Sequence, residues 1–226
     1  FMNGSDVIKM IGTFAPEGRS AVMLRHAARF PIVDMTRPEL AELTPEGAAT
    51  AEAMGEQLRG HDGVRLFHSP VKRCQQTAEC LALGAQRAGV SVELAGAETA
   101  LGVEYILDMK AAAQLSVEHG DSFVRRWMNG QVAENVIRRT EVIAAAKVDY
   151  LARKLAEPCR PGRWLDLHVS HDWNVMVLRE RLLGVRHEEA GWLTFLDGVG
   201  FALNGRQLLA EYHGQRRVHA LPELAQ

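Results

Sequence analysis

The sequence predicts an α/β fold: a central, mostly parallel sheet with helices on its faces and a helical covering insertion at about residues 104–160, all within one domain spanning residues 1–226. Three observations predict it. Short apolar runs alternate with Ala-rich stretches at helical spacing, and strand, helix, strand, helix is the order that lays strands side by side in parallel. The segment from about Leu107 to Leu155 is free of proline and rich in Ala and Arg, which reads as two or three helices. Finally, 226 residues with 47% hydrophobic and 24% charged side chains is an ordinary globular composition. A chain of this length buries ~70% of its unfolded surface without help from disulfides or metals.

The elements follow in order. Ala21-Val22-Met23-Leu24 is a short apolar run flanked by polar residues and reads as a buried strand ending at Arg25-His26. A helix opens at Thr44-Pro45-Glu46-Gly47, where Thr44 can cap and Pro45 suits the first helical position, and runs to about Leu58. Val64 to His68 is the second strand. Ser69-Pro70 opens the next helix in the same way, with Cys74, Thr77, Ala78 and Leu81 at helical spacing to about Ala88. Val90 to Leu94 reads as the third strand. After the covering helices, Glu157-Pro158-Cys159-Arg160-Pro161-Gly162 marks a break. Trp164 to Val169 is again a strand, and a helix from about Asp172 ends near Gly184. Apolar alternation predicts closing strands at Trp192–Leu196, Val199–Leu203 and Leu208–Tyr212.

Composition excludes several classes of function. Lys and Arg number 26 against 28 Asp and Glu, so the formal charge of −2 gives no general attraction to nucleic acid or to an anionic membrane. No apolar run approaches the ~18 residues of a membrane span. Phe1 to Phe14 carries Asp6 and Lys9 and lacks a continuous apolar core, so it does not read as a secretory leader and cytoplasmic residence is expected; Phe1, ahead of Met2, is set aside. Cys74, Cys80 and Cys159 are odd in number and lack CxxC spacing, which favours reduced structural thiols over disulfides or a zinc site.

Chemistry concentrates where strands end: Leu24-Arg25-His26-Ala27-Ala28-Arg29-Phe30-Pro31, His68-Ser69-Pro70-Val71-Lys72-Arg73, and Ser170-His171-Asp172-Trp173-Asn174. In open α/β sheets ligands bind at the carboxyl ends of strands. Arg25, Arg29 and Arg73 offer forked donors that match phosphate oxygens, while His26 and His171 bring imidazoles able to act as nucleophile or partner near neutrality. Only Asp172 adds an acid.

The patterns Arg-His-x-x-Arg-x-Pro, Ser-Pro-x-x-Arg-Cys-x-Gln-Thr-Ala and His-Asp-x-Asn, met in that order, resemble the histidine phosphatase superfamily. The first and last are similar to its acid phosphatase and phytase branch, whereas the short chain is similar to its phosphoglycerate mutase branch. The likeness covers about residues 20–100 and 164–205 and leaves the helical stretch between them outside any motif. It implies a three-layer sandwich of the phosphoglycerate mutase type. It also implies His26 as the nucleophile that takes the phosphoryl group, Arg25, Arg29, Arg73 and His171 as the phosphate pocket, and Asp172 as the proton donor to the leaving alkoxide. The rival donor is Glu98, comparable to a glutamate that follows the third strand in the mutase branch. Ala27 stands where the family pattern has glycine, a mild change unless the backbone there needs positive φ.

The physics agrees with that assignment. Fixed cations stabilise charge on the three equatorial oxygens of a transferring phosphoryl group and disfavour protonation of His26. No metal or cofactor is required, because arginines replace magnesium. At a helix start the dipole and nearby arginines favour ionised Asp172, and a bound phosphate dianion favours its protonated form, so it becomes a competent acid in the substrate complex. The expected activity is hydrolysis of a small phosphomonoester, with phosphoryl transfer to a second hydroxyl, or non-catalytic binding of a phosphorylated ligand, as the alternatives.

Plainer roles stand beside these. Asp172 can cap its helix, Ser69 reads first as a cap ahead of Pro70, and Asn174 either reaches the ligand or is a first-turn polar residue. His168 and His171 point to opposite faces of a strand, which argues against a metal pair. Arg125, Arg126, Arg138 and Arg139 read as a solvated helix face, and Trp173 as the tryptophan nearest substrate. The exposed closing strands offer an edge through which a homodimer could pair.

Overall fold

The computed structural model describes residues 5–14, 19–33, 37–158 and 160–221. Its centre is a seven-stranded sheet made of β1 (Arg19–Arg25), β2 (Gly63–His68), β3 (Ser91–Ala97), β4 (Trp164–Ser170), β5 (Gly198–Asn204), β6 (Gln207–Tyr212) and β7 (Gln215–Ala220), in the order β3-β2-β4-β1-β5-β6-β7. The central strands β2, β4 and β1 are buried along nearly their whole length because both faces are covered. In β1, Ala21 and Met23 face one hydrophobic cluster while Val22 and Leu24 face the other.

The sheet is mixed, which corrects the expectation of a mostly parallel one. The ladders β3/β2, β2/β4 and β4/β1 are parallel, and β1/β5, β5/β6 and β6/β7 are antiparallel. For the β5/β6 and β6/β7 ladders the reason lies in connection length. Helices link the first four strands, whereas β5, β6 and β7 are joined by the tight turns Gly205-Arg206 and His213-Gly214, which permit only antiparallel pairing. β7 itself was not predicted; it is exposed along most of its length and carries no apolar alternation.

On one face lie α1 (Ser5–Phe14), α2 (Pro45–Glu56) and α3 (Lys72–Arg87); on the other lie α4 (Met109–His119), α5 (Ser122–Met128), α6 (Thr140–Ala156) and α7 (Asp172–Leu183), followed by the single turn α8 (His187–Ala190). The result is three layers. α1 was not foreseen, although Val7, Met10 and Ile11 fall at helical spacing and are buried. α2 starts as expected, with Thr44 Oγ1 accepting from the Gly47 amide at 3.0 Å. It packs backbone to backbone on α3: a Cβ on Gly84 would sit 1.9 Å from the Glu52 carbonyl oxygen, so glycine is required by contact there.

Two further expectations are corrected. α3 begins at Lys72, not at Ser69, because Ser69 is drawn into the site described below and caps nothing. Trp192–Leu196 is a loop, with Leu196 at φ +61, since this segment folds over the end of β1 and leaves β5 to pair with it. Cys74 and Cys80 are free thiols, and Cys159 lies outside the described residues. Among the described residues no helix is long and apolar enough to cross a membrane.

Candidate active site

The strand order sets β2, β4 and β1 side by side, so their carboxyl ends bring Ser69, His171 and His26 together. Backbone bonds fix the junction: the His26 amide donates to the Ser170 carbonyl at 3.0 Å and the Ser69 amide to Val169 at 2.9 Å. His26 is 3% exposed. Its Nδ1 lies 2.8 Å from the Ala27 carbonyl, which can only accept, so Nδ1 carries the proton and Nε2 keeps its lone pair. Arg73 Nε donates to that lone pair at 3.1 Å. Burial, and then the charges of Arg73 and Arg25 beside His171, hold the His26 pKa well below the ordinary 6.5 despite the opposing bond to Ala27.

His171 is its partner. Arg73 Nη2 donates toward its Nδ1 at 3.3 Å, which leaves Nε2–H to donate to Ser69 Oγ at 3.0 Å. Burial first and Arg73 second push its pKa down to about 3. Arg73 completes its fork by donating from Nη1 to the Pro38 carbonyl at 2.8 Å, tying the short turn Pro38–Leu40 to the site. Cys74 lies close, with Sγ 3.9 Å from His171 Nε2, but burial pushes its thiol up to about 12 and it stays protonated.

Arg25 is held from three sides. Nη1 donates to the Leu193 carbonyl at 2.5 Å, Nη2 pairs with Asp172 Oδ2 at 3.1 Å, and the guanidinium lies 4.2 Å from the centre of the Phe195 ring. Its backbone is bound by the same loop, through Asp197 O at 2.9 Å and the Leu196 amide at 3.1 Å. Arg29 is half-buried, with Nη1 donating to the Phe30 carbonyl; burial first, and the charge of Arg29 as a lesser cause, lower the pKa of both Arg25 and Arg73.

Asp172 opens α7, with His171 in the capping position; Oδ1 accepts from the Trp173 amide at 2.9 Å and Oδ2 from Trp192 Nε1 at 3.1 Å. It lines a cavity of about 250 Å³ together with Arg73, His171, Trp173, Val71 and Met109. Glu98 follows β3 on the same edge of the sheet but does not line this cavity; its carboxylate is taken by Lys154 at 2.8 Å. Asn174 is fully buried, and its Nδ2 donates to Leu101 O, Gly102 O and Ser170 Oγ at 3.1, 2.8 and 2.8 Å, so it braces the 99–102 turn instead of reaching a ligand. Arg125 is paired with Glu180 and Glu188, and Arg139 with Glu134. His168 faces the opposite side of β4, where Tyr150 Oη lies 3.1 Å from its Nδ1. Among the described residues no group of three or more His, Cys, Asp or Glu side chains is placed to hold a metal ion.

Sequence reasoning missed Ser69 as the partner of His171 and the whole 191–197 loop that grips Arg25. The first was hidden by Pro70, which makes Ser69 look like a helix cap. The second had no local signal, since Arg25 and Leu193 lie 168 positions apart.

The buried neutral histidines carry a stability consequence. Burial, with nearby Arg65 second, also pushes the His168 pKa down to about 3. An unfolded chain protonates these residues near pH 6.5, the folded one only near 3, so their contribution is complete above about 6.5 and is lost as pH falls from there toward 3. The urea midpoint is expected to fall continuously across that window; a flat midpoint between pH 6.5 and 4 would contradict the assignment of neutral buried imidazoles.

Solved structures similar to this chain share its fold at low identity. A mycobacterial glucosyl-3-phosphoglycerate phosphatase in complex with VO3 matches at TM-score 0.58 and 20% identity, over 90% of this chain and 98% of that one. A phosphoglycerate mutase from Bacillus anthracis str. Sterne matches at TM-score 0.54 and 12% identity, over 91% and 94%. No curated protein matches in sequence. The model of the histidine phosphatase superfamily, branch 1, matches residues 22–198, a span that contains His26, Arg73 and His171, and the chain therefore belongs to the histidine phosphatase superfamily.

Proposed function

We propose that this enzyme is a phosphatase that hydrolyses a small phosphomonoester through a phosphohistidine on Nε2 of His26. The observation that carries the reading is the unprotonated Nε2, fixed by the Nδ1 bond to Ala27 and aimed at Arg73. Nε2 attacks phosphorus in line, and the P–O bond to the leaving alcohol breaks. Arg25, Arg29, Arg73 and His171 surround the three equatorial oxygens, and Asp172 gives its proton to the leaving oxygen. In the second step a water molecule yields a proton to Asp172 and attacks the phosphorus, which releases phosphate and restores the imidazole. The arginines neutralise the charge for which many phosphoryl-transfer enzymes use magnesium.

The test is release of inorganic phosphate from p-nitrophenyl phosphate between pH 4 and 8, with EDTA present. Undiminished release in EDTA, continuing as pH drops below 6.5, is expected from a metal-independent site whose nucleophile resists protonation. Loss of activity in EDTA would overturn the metal-free route. The neighbouring mutase supports a second reading, in which another hydroxyl takes the phosphoryl group. Addition of a polyol acceptor separates the two: equal release of alcohol and phosphate means hydrolysis, and an excess of alcohol over phosphate means transfer.

A further inference from the structure

We infer that the substrate's leaving alcohol is apolar and uncharged, making the preferred substrate an alkyl or aryl phosphate instead of an ester whose alcohol bears a carboxylate or second phosphate. The inference rests on the phosphatase reading above and concerns the part of the cavity beyond the phosphoryl group. There the walls are Val71, Val103, Met109 and the Trp173 ring. Among the described residues Arg73 is the one cation lining this cavity, and it is committed to His26 and His171. Neighbouring cations are engaged: Arg25 pairs with Asp172 at 3.1 Å, Lys72 pairs with Glu42, and Lys147 donates to the carbonyls of Ala100 and Gly102 at 2.5 and 3.3 Å.

The charges that do face the opening are of the wrong sign for an anionic alcohol. Asp172 and Glu39 both line the cavity, the latter paired only loosely with Arg37 at 3.8 Å. A carboxylate on the leaving group would meet these acids, and the guanidiniums beside them, Arg25 and Arg37, are already paired with Asp172 and Glu39. The rim continues the apolar character. Met109, which lines the cavity, is 50% exposed, and Leu40, next in sequence to the lining residue Glu39, is 48% exposed. Exposed apolar side chains gathered around a cavity mark the path of an apolar ligand.

The experiment compares kcat/KM for ethyl, butyl and hexyl phosphate with that for 3-phosphoglycerate. All are esters of alcohols, so the chemistry of departure is similar and the wall decides. Each methylene buried should raise kcat/KM by about two- to fourfold, so hexyl phosphate should exceed 3-phosphoglycerate by well over ~10-fold. Met109→Lys, at a half-exposed position, should reduce the hexyl advantage and raise turnover of 3-phosphoglycerate. A flat response to chain length, or a preference for 3-phosphoglycerate, overturns the inference while leaving the phosphatase reading intact. If no ester is turned over, that reading is the one that fails, and the wall is read by calorimetry instead. Hexylphosphonate binding about tenfold or more tighter than methylphosphonate supports the apolar wall, and equal affinity or no binding of either overturns it.

Discussion

His26→Ala is expected to lower phosphatase turnover by on the order of 10⁴-fold or more, the scale of loss when a covalent nucleophile is removed. The imidazole is 3% exposed and its Nε2 meets only Arg73, so no neighbouring nitrogen can take its place: His171 uses Nε2–H on Ser69 and receives Arg73 at Nδ1. The variant should stay folded. Arg73 keeps its bond to the Pro38 carbonyl, and the backbone bond from residue 26 to Ser170 does not depend on the side chain. Rapid quenching with labelled substrate gives the sharper readout. The parent protein should carry a label that is stable in alkali and lost in acid, as expected for a phosphoimidazole, and His26→Ala should carry none while still binding inorganic phosphate through its arginines. Labelling that persists in the variant, or turnover reduced only a few-fold, would move the nucleophile to another residue.

Much of the site was legible because each of its segments is short and follows a strand that is itself legible. Arg25 and His26 sit at the end of an apolar run, and the same holds for the segment carrying Arg73 after β2 and for His171 after β4. What the sequence could not show is how these ends are fastened. The grip on Arg25 comes from Leu193, Phe195, Leu196 and Asp197, in a segment whose alternating apolar residues imitate a strand. Its identity as a loop is decided by the pairing of β5 with β1, a contact across the whole chain that no local pattern encodes. β7 was missed for a related reason: it is exposed along most of its length and carries no apolar alternation, and the turn before it places a non-glycine residue, His213, at φ +47. Asn174 shows the opposite failure, since a polar residue beside two site residues looked available, whereas the fold buries it to hold the 99–102 turn.

Asp172→Asn is expected to separate substrates by the basicity of their leaving groups. An alkoxide leaves only with a proton, so for alkyl phosphates removal of the acid should lower turnover by roughly 10²- to 10⁴-fold. A nitrophenolate leaves without one, so the first step with p-nitrophenyl phosphate should be nearly unchanged. The second step needs the same carboxylate to take a proton from water, so nitrophenol should appear in a burst equal to the enzyme present, followed by a slow phase, while labelled protein accumulates. Asparagine suits this test because its side-chain oxygen can still accept from Trp192 Nε1 or the Trp173 amide, so the opening of α7 is kept while the ionisable oxygen is lost. Glu98→Gln is the matching comparison. Its carboxylate is paired with Lys154 and stands outside the cavity, so turnover of both substrates should change by less than about threefold, within the scale of a surface ion pair. If instead the leaving-group dependence appears in Glu98→Gln and not in Asp172→Asn, the proton comes from the end of β3, and Asp172 serves only to hold Arg25. The two carboxylates are distinguished by what surrounds them: Asp172 lies against Arg25 and lines the cavity, and under the proposed mechanism a phosphorylated substrate that draws Arg25 toward its oxygens would free the Asp172 oxygen nearest the leaving group.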